Sequence, residues 1–354
     1  MLKFKIGKKI ISNNHPTYFI ADIAANHDGD LKKAKKLIYL CAEAGADAAK
    51  FQHFSAGTIV SDYGFKSLKE KKSHQKTWKK SVFEVYKDAS INLSWTLELK
   101  KTCKKAGIDF FSSPYSFEMV DHLEPYVPAY KIGSGDITWL SIIKHIAKKN
   151  RPVILASGAS NLIEVKNAIK TIQKYNKKIV LMQCNTNYTA SVENLKFINL
   201  RVLEKYKEYF PNVILGLSDH THGHSTVLGS VALGARVIEK HFTDNNNRIG
   251  PDHKFSMNPK TWREMVDATR ELEHAIGDGN KKVEKNEKDS QIVQRRSIRL
   301  IKNLEKNQRI NKNNLIFLRP CPIDSYPIYK YKNIIGKKIK RNIKSGDYIK
   351  KSDI

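Results

Sequence analysis

Short apolar runs alternate along the chain with longer segments in which apolar positions recur every three or four residues. Short apolar runs are typical of buried strands, and the wider spacing is typical of amphipathic helices. Eight succeeding strand–helix units predict an α/β protein whose first domain, residues 1–280, is a (β/α)8 TIM barrel. The runs interpreted as strands are YFIADI (18–23), DAAKFQ (47–52), IDFFS (108–112), PAYKI (128–132), PVILA (152–156), KIVLMQC (178–184), NVILGL (212–217) and RVIEKHF (236–242).

The segments between these runs predict helices with one apolar face. Residues 31–45 and 93–107 each carry such a face and end in glycine, whereas residues 160–175 open on Ser160 as a candidate N-cap. The segment 56–90 is longer than a simple loop. Its charged and aromatic residues predict a mobile flap over the site. The N-terminal stretch MLKFKIGKKIISNN predicts a short strand or arm.

A smaller domain is predicted to follow the barrel. The stretch GDGNKKVEKNEKDS is charged and polar, so we interpret residues 281–295 as a linker. From residue 296 the pattern changes to short β-like pieces such as RSIRLI, NLIFLRP and YPIYKY. Residues 296–354 are therefore predicted to form a basic, β-rich domain.

The charge of the chain bears on its partners. The 63 Lys and Arg residues outnumber the 35 Asp and Glu residues, which gives a formal net charge of +28. Residues 281–354 hold 21 of the basic and 7 of the acidic residues, a net of +14. This excess of positive charge is compatible with binding of nucleic acid or of an anionic substrate. The lysines are spread over predicted helix faces and helix ends, however, which favours solvated surfaces over a nucleic-acid interface.

Cysteine usage and the N-terminus indicate the compartment. Cys41, Cys103, Cys184 and Cys321 form no CxxC pair, which argues against a cysteine zinc site and is typical of a reducing cytoplasm. The N-terminus lacks an apolar run followed by a small-residue cleavage site. No apolar run reaches the roughly 20 residues of a membrane span. We therefore expect a cytoplasmic protein with no membrane partner.

Polar residues mark the ends of nearly all the predicted strands, where the active sites of TIM barrels lie. Lys50 and Lys131 emerge from strand interiors, where a lysine is costly to bury without an anionic partner. Hydroxyl groups and glycines accompany them, so these positions predict a cradle for a phosphate or carboxylate. The strand-end residues are Asp22, Lys50, Gln52, Ser112, Ser113, Lys131, Ser134, Asp136, Ser157, Asn185, Thr186, Tyr188, Ser218, Asp219, His220, Lys240 and His241.

Two histidines predict a metal site. His220 and His241 end neighbouring strands, which lie about 4.8 Å apart in a sheet, so their imidazoles could meet at one ion. Two histidines with an open coordination sphere suit Mn, Zn, Co or Fe. His222 and His224, in the same HTHGH stretch, fall past the strand and are predicted to lie in the turn before the next helix.

Several motifs resemble those of a known family. The stretch ANHDGDLKKAKKLIYLCAEAGADAAKFQ and the later motifs AYKIGSGD, GLSDHT, EKHFTD and GPDHKFSMNP are similar to segments of the N-acetylneuraminate (sialic acid) synthases and of legionaminate and pseudaminate synthases. The motifs follow in the same order and spacing as in that family. The basic tail resembles the family's C-terminal SAF, or antifreeze-like, domain.

The resemblance implies a transferase that condenses phosphoenolpyruvate with N-acetylmannosamine or a related N-acylated amino-hexose. With water as the third reactant, the products are a nine-carbon 2-keto-3-deoxy sugar acid and phosphate. The resemblance also implies a divalent metal, most often Mn²⁺, with Mg²⁺ or Co²⁺ as alternatives. It further implies a domain-swapped homodimer in which each tail domain caps the partner's barrel.

Roles for individual residues follow from the same resemblance. Phosphoenolpyruvate binding is expected at Lys50, Ser113, Lys131, Ser134, Thr186 and Ser218. Sugar binding is expected at Asp22, Asp136, Tyr188, Asp252 and Arg319. The metal ligands are expected to be His220 and His241, and the catalytic residues Asp22, Lys50, Gln52 and Lys131.

The chain departs from the family pattern on the sugar side. The better-known sialate synthases carry Glu where this chain has Asp22 and Asp136, and a Ser is common where it has Ala156. The stretch CNTNY has a different order of Asn and Thr, and RPCPID lacks the glycines that usually follow the tail arginine. These differences leave the acceptor sugar open between N-acetylmannosamine and a legionaminate-type or pseudaminate-type precursor.

Three other functions are compatible with parts of the pattern. Synthases of 3-deoxy-octulosonate or heptulosonate phosphates also use barrels and phosphoenolpyruvate, but they need basic residues for the acceptor's phosphate. A metal-dependent hydrolase could use the HxH pattern. A nucleic-acid-binding protein would explain the charge, but it leaves the polar strand ends unexplained.

Overall fold

The computed structural model describes residues 2–68, 70 and 72–354, with the side chains of Ser73 and Thr77 excepted. The chain divides into two compact units, the first ending at Gly277 and the second spanning Asp278–Ile354. Each unit has its own hydrophobic core. The described ranges contain no helix with the length and apolar character that a membrane span requires.

Eight parallel strands form the sheet of the first unit, which confirms the predicted TIM-barrel fold. They pair in the order β5-β4-β3-β10-β9-β8-β7-β6, and β5 lies next to β6, so the sheet curves back on itself. A separate antiparallel hairpin, β1 and β2, precedes them. The strands of this unit are β1 Lys3–Ile6, β2 Lys9–Ser12, β3 Tyr18–Asp22, β4 Ala48–His53, β5 Asp109–Pro114, β6 Tyr130–Ile132, β7 Val153–Ala156, β8 Ile179–Cys184, β9 Ile214–Asp219 and β10 Val237–His241.

Helices connect the strands of the first unit, and most of them pack on the outer face of the sheet. They are α1 Leu31–Glu43, α2 Ala56–Ile59, α3 Asp62–Ser67, α4 Val82–Ala89, α5 Thr96–Ala106, α6 Phe117–Leu123, α7 Leu140–Lys148, α8 Leu162–Gln173, α9 Val202–Tyr209, α10 Ser225–Ala232 and α11 Pro259–Ile276. The predicted cap of α8 was wrong by one residue. Asn161 Oδ1 accepts the N–H groups of Ile163 and Glu164, whereas the Ser160 hydroxyl donates to Ser157 O.

Alternation of side chains along the strands divides the barrel into an inner and an outer layer. Outward residues such as Phe19 and Phe51 pack with the surrounding helices in the main core. Inward residues near the strand starts, such as Tyr18 and Phe111, form a second cluster. Side chains of the β1–β2 hairpin, including Ile6, join this inner cluster. The N-terminal end of the barrel is therefore filled and covered by the hairpin.

Asp219 and Lys240 are strand-end residues that face outward, away from the barrel interior. They form an ion pair whose side chains are each 1% exposed. Thr226 Oγ1 donates to Asp219 Oδ2 over 2.7 Å, and Lys240 Nζ donates to Thr221 O over 2.7 Å. Burial opposes ionisation of Asp219, but Lys240 lowers its pKa. Because successive side chains of a strand point to opposite faces of the sheet, Asp219 and Lys240 point away from the barrel interior. The pair is therefore part of the packing between the sheet and its helices.

The second unit is small and rich in β-structure. Strands β11 (Ser297–Leu300) and β12 (Leu315–Leu318) form an antiparallel hairpin. Its core consists mainly of isoleucines, among them Ile298, Ile310 and Ile349. Helix α12, Lys288–Gln294, lies in the segment 281–295, which was predicted to be a linker.

Replacing Asp219 with Asn should lower the free energy of unfolding by about 3 kcal/mol, because it leaves a buried ammonium without its counter-charge. Urea unfolding measures the change. The control is Glu208→Gln, which removes one partner of an exposed pair with Lys205 (2.9 Å, side chains 64% and 59% exposed). We expect the control to change the free energy of unfolding by less than about 1 kcal/mol. Equal losses in both variants would contradict the role assigned to the buried pair.

Candidate active site

Glu239 connects the two buried lysines at the C-terminal end of the barrel. Its Oε1 lies 3.3 Å from Lys131 Nζ and accepts a hydrogen bond of 3.1 Å from Ser218 Oγ. Its Oε2 lies 3.7 Å from Lys50 Nζ. Glu239 was not among the predicted site residues, although it lies two residues before His241 on β10 and must therefore share its face.

Asp22 is the second carboxylate of this cluster. Its Oδ2 lies 2.6 Å from Lys50 Nζ, 3.5 Å from His241 Nε2 and 3.4 Å from Gln52 Nε2, which donates to it. Burial works against the charge on Lys50, but Asp22 and Glu239 together raise its pKa. The lysine is therefore protonated at neutral pH, and its charge is available to an anionic ligand.

Two buried oxygens in this region have no hydrogen-bond partner among the described residues. They are Ser113 Oγ and Glu239 Oε2. Buried polar atoms are nearly always paired in native proteins, so unpaired ones indicate a place where a ligand or water completes the bonding. Ser113 and Gln52 occupy paired positions on β5 and β4, which places this unpaired hydroxyl beside the lysine cluster.

Gly158 is surrounded by Ser134 and Thr186, two residues of the predicted phosphate cradle, and by Cys184. Its N–H donates to Ser134 Oγ over 2.9 Å. A Cβ at this position would lie 2.6 Å from Thr186 Cγ2, 2.9 Å from Ser134 Oγ and 3.1 Å from Cys184 Sγ, so only glycine fits. Cys184 was not among the predicted site residues. Burial opposes ionisation of this thiol, but hydrogen bonds with His220 and Ser134 lower its pKa.

His220 and His241 are neighbours, as predicted, with ring centroids 5.3 Å apart. The Tyr188 ring lies 4.3 Å from the His220 ring, and the Phe255 ring lies 4.8 Å from that of His241. His220 Nδ1 makes a 2.9 Å hydrogen bond with the Asn185 carbonyl, and the same ring is hydrogen-bonded with the Cys184 thiol. The pair therefore lies against an aromatic wall at the ends of two adjacent strands.

The chemistry of this pair fits a divalent metal. His241 Nδ1 is buried and lacks a hydrogen-bond partner among the described residues. Burial, aided by His220 and Lys50, lowers the pKa of His241 well below its usual range, so its ring is neutral, as a metal ligand must be. The part of the chain that the structure describes contains no group of three or more His, Cys, Asp and Glu side chains suited to a metal. The pair would thus leave the remaining coordination positions to other ligands.

The other histidines of the HTHGH stretch lie apart from this pair. His222 is exposed and contacts Ala190 O over 3.0 Å. His224 directly precedes α10.

In addition to Asp22, three of the predicted sugar-side residues lie near the lysine and histidine cluster. Asp252 Oδ2 lies 3.9 Å from His241 Nδ1 and accepts the Ala25 N–H over 3.2 Å. The Tyr188 ring contacts both histidine rings, as the Phe255 ring does. Burial raises the pKa of Asp136 to about 6 against the opposing charge of Lys131. Arg319 follows β12 in the second unit, and its side chain is exposed.

The segment 56–90 contributes aromatic residues beside Tyr188. The His74 ring lies 5.1 Å from the Tyr188 ring and 5.2 Å from the Trp78 ring. Phe54, at the end of the preceding strand, contacts Tyr86 and Tyr115. The segment is therefore next to the histidine pair, and its mobility stays a prediction.

Comparison with known proteins decides the family. The NeuB family model matches residues 37–281, and the SAF domain model matches residues 295–354. The chain belongs to the NeuB family. The predicted resemblance is thereby confirmed.

Relatives of this NeuB-family protein match it over nearly their whole length. An N,N'-diacetyllegionaminic acid synthase from Campylobacter jejuni is 36% identical over 94% of this chain and 99% of that protein. A pseudaminic acid synthase from the same species is 33% identical over 95% of this chain and 96% of that protein. Among solved structures, an N-acetylneuraminic acid (sialic acid) synthetase from Leptospira borgpetersenii superposes on this protein with a TM-score of 0.71. The two sequences are 27% identical, and the match covers 81% of this chain and 94% of that chain.

In this NeuB-family protein, Asp136→Asn should raise the free energy of unfolding above pH 6, by on the order of 1–2 kcal/mol. The raised pKa of Asp136 means that the fold favours its protonated form. As the pH rises from about 4, the pKa of an unfolded Asp, to about 6, the unfolded wild-type chain releases this proton more readily than the folded one, so its free energy of unfolding falls. The Asn variant has no such proton and keeps its stability. Urea unfolding between pH 5 and pH 7.5 measures this difference. A variant that is less stable than wild type at pH 7.5 would contradict it.

Proposed function

We propose that this protein condenses phosphoenolpyruvate with an N-acylated amino-hexose and water. Three carbons of phosphoenolpyruvate join six of the sugar, so the products are a nine-carbon 2-keto-3-deoxy sugar acid and phosphate. The observation that carries the proposal is the pair of buried lysines around Glu239, next to two histidines and an unpaired serine hydroxyl. The relatives named as legionaminic and pseudaminic acid synthases support it.

Lys50 and Lys131 supply the charge that holds phosphoenolpyruvate in this proposal. The substrate carries a phosphate and a carboxylate, and buried lysines bind such groups strongly because little water screens them. Hydroxyl groups around the lysines come from Ser113, Ser134, Thr186 and Ser218. The absence of a side chain at Gly158 lets its backbone N–H come close enough to donate to Ser134 Oγ. The task of these groups is positioning, so that C3 of the enol faces the sugar aldehyde.

His220 and His241 would hold a divalent metal, with Mn²⁺ as our first choice and Mg²⁺ or Co²⁺ as alternatives. When bound, such an ion supplies Lewis-acid polarisation of a carbonyl oxygen. The neutral His241 ring and the carbonyl-oriented His220 ring are the features that support this assignment.

Asp22 is the proposed group for orienting the sugar or moving a proton. Its carboxylate lies between Lys50 and His241, where the enol and the aldehyde would meet. Gln52 donates to the same oxygen and is placed to orient the water that adds at C2. The rest of the sugar would be bound by Tyr188, Asp136 and Asp252.

The SAF domain would complete the site in a domain-swapped homodimer. In this arrangement Arg319 of one protomer reaches the sugar site of its partner. The exposure of the Arg319 side chain is compatible with that role.

The acceptor in our proposal is an unphosphorylated sugar. Synthases of 3-deoxy-ulosonate phosphates need cations for the acceptor's phosphate. On the sugar side of the barrel the predicted residues are instead the carboxylates Asp22, Asp136 and Asp252 with Tyr188. Carboxylates repel a phosphate and accept hydrogen bonds from sugar hydroxyl and amide groups.

The His220→Ala variant should lose at least about 100-fold in phosphate release when it is assayed with phosphoenolpyruvate, Mn²⁺ and a panel of amino-hexoses. The loss is expected because one of two metal ligands is removed. Mass spectrometry identifies the nonulosonate product, and equilibrium dialysis measures Mn²⁺ binding directly. The control is His222→Ala, an exposed residue of the same stretch. Full activity and full Mn²⁺ binding in His220→Ala would refute the metal assignment.

The Asp22→Asn variant should lose most of its turnover while it still binds phosphoenolpyruvate, because Glu239 remains near both lysines. Turnover is measured by phosphate release, and binding of phosphoenolpyruvate alone is measured by calorimetry. Unchanged turnover would remove Asp22 from the proposed mechanism.

A further inference from the structure

His253 is a fully buried histidine whose two ring nitrogens join two loops above the barrel. Its Nε2 lies 3.0 Å from Asp28 Oδ1, in the loop 23–30 between β3 and α1. Its Nδ1 lies 2.7 Å from Thr243 Oγ1, in the loop 242–258 between β10 and α11. The strands β3 and β10 are hydrogen-bonded neighbours, so the two loops emerge side by side.

Further polar contacts join the same two loops. The Asn26 side chain donates to Phe242 O and to Ser256 Oγ, each over 2.9 Å. Ser256 Oγ in turn donates to Asp252 O over 2.6 Å. The Asp252 carboxylate accepts the Ala25 N–H. Asp252 is therefore held from one side by its own loop and from the other by the loop after β3.

Two backbone features show that this arrangement depends on close packing around the imidazole. A Cβ at Gly250 would lie 2.7 Å from His253 Cδ2, so a larger residue would displace the ring. Asp28 has a φ of +49°, a conformation that non-glycine residues rarely adopt and that local contacts must stabilise. Its carboxylate is held by His253 and by an ion pair with Lys33.

We propose that His253 and Asp28 are positioning residues that set the location of the Asp252 carboxylate beside His241, and with it the place of the acceptor sugar. The inference rests on the proposed function, because Asp252 is there assigned to the sugar. His253 itself is fully buried and acts through its neighbour. Loss of the ring should therefore weaken sugar binding and leave phosphoenolpyruvate binding at the lysines unchanged.

Steady-state kinetics of the Mn²⁺-loaded full chain tests this inference. We expect His253→Ala to raise KM for the sugar about tenfold or more, since small displacements of positioning groups have effects of this size. KM for phosphoenolpyruvate should change less than about twofold. The His253→Gln variant should recover much of the loss, because its amide can still donate to Asp28. The matched control is His145→Ala, which breaks a His–Asp contact of 2.8 Å with Asp121 on the surface.

Three results would overturn the inference. They are an unchanged sugar KM, an equal rise in both KM values, and a fall in kcat alone, which reports fewer folded molecules. If His253→Ala fails to fold, Asp28→Asn serves in its place, because it keeps the shape and weakens the bond to the ring.

Failure of the proposed function is distinguishable from failure of this inference. If the wild-type protein releases no phosphate with any sugar, the function fails. The positioning is then judged from hydrogen exchange of the Ala25 amide, which donates to Asp252. Faster exchange in His253→Ala, but not in His145→Ala, supports it, and unchanged exchange overturns it.

Discussion

The buried charge cluster of Lys50, Lys131, Asp22 and Glu239 is the constraint on which the site depends. Two lysines inside a barrel are unfavourable unless carboxylates lie within a few ångströms, because charge is poorly solvated there. Glu239 meets this need for both lysines at once. Each member comes from a different strand, so the cluster exists only when β3, β4, β6 and β10 hold their register. The fold and the proposed phosphoenolpyruvate site therefore depend on the same contacts.

Much of the fold could be predicted from the sequence, because hydrophobic periodicity is a local signal. All eight barrel strands lie where the apolar runs predicted them. The list of strand-end residues was less accurate, since it took the last residues of each strand without asking which face they occupy. Counting in steps of two from His241 selects Glu239 as inward and Lys240 as outward. Cys184, the last residue of β8, was missed because the list began one residue later, at Asn185. Asn161 replaced Ser160 as a helix cap because cap geometry depends on the backbone, which composition alone does not determine.

The histidine pair illustrates what adjacency in the sequence does and does not convey. His220, His222 and His224 are close in the chain, yet the partner of His220 is His241 on the next strand. Neighbouring strands of a parallel sheet bring together residues that are some twenty positions apart. The contacts of His253 follow the same logic, since they join loops that are more than 200 residues apart in the chain. No local pattern predicts such contacts. Only the closed order of the strands, with β10 beside β3, makes them possible.

The hairpin that covers the N-terminal end of the barrel limits the route by which ligands reach the lysines. Because the inner cluster and the hairpin fill that end, the lysines are reached from the opposite end of the strands. Reactants and products then share one entrance. In the proposed arrangement, phosphoenolpyruvate at Lys50 and Lys131, which lie within strands, would lie deeper than a sugar beside Asp252 and Tyr188, which lie in loops past the strand ends, so it would have to enter first. The order of binding would in this way be a property of the architecture, set in part by the ten-residue hairpin Lys3–Ser12 at the opposite end of the strands from the lysines.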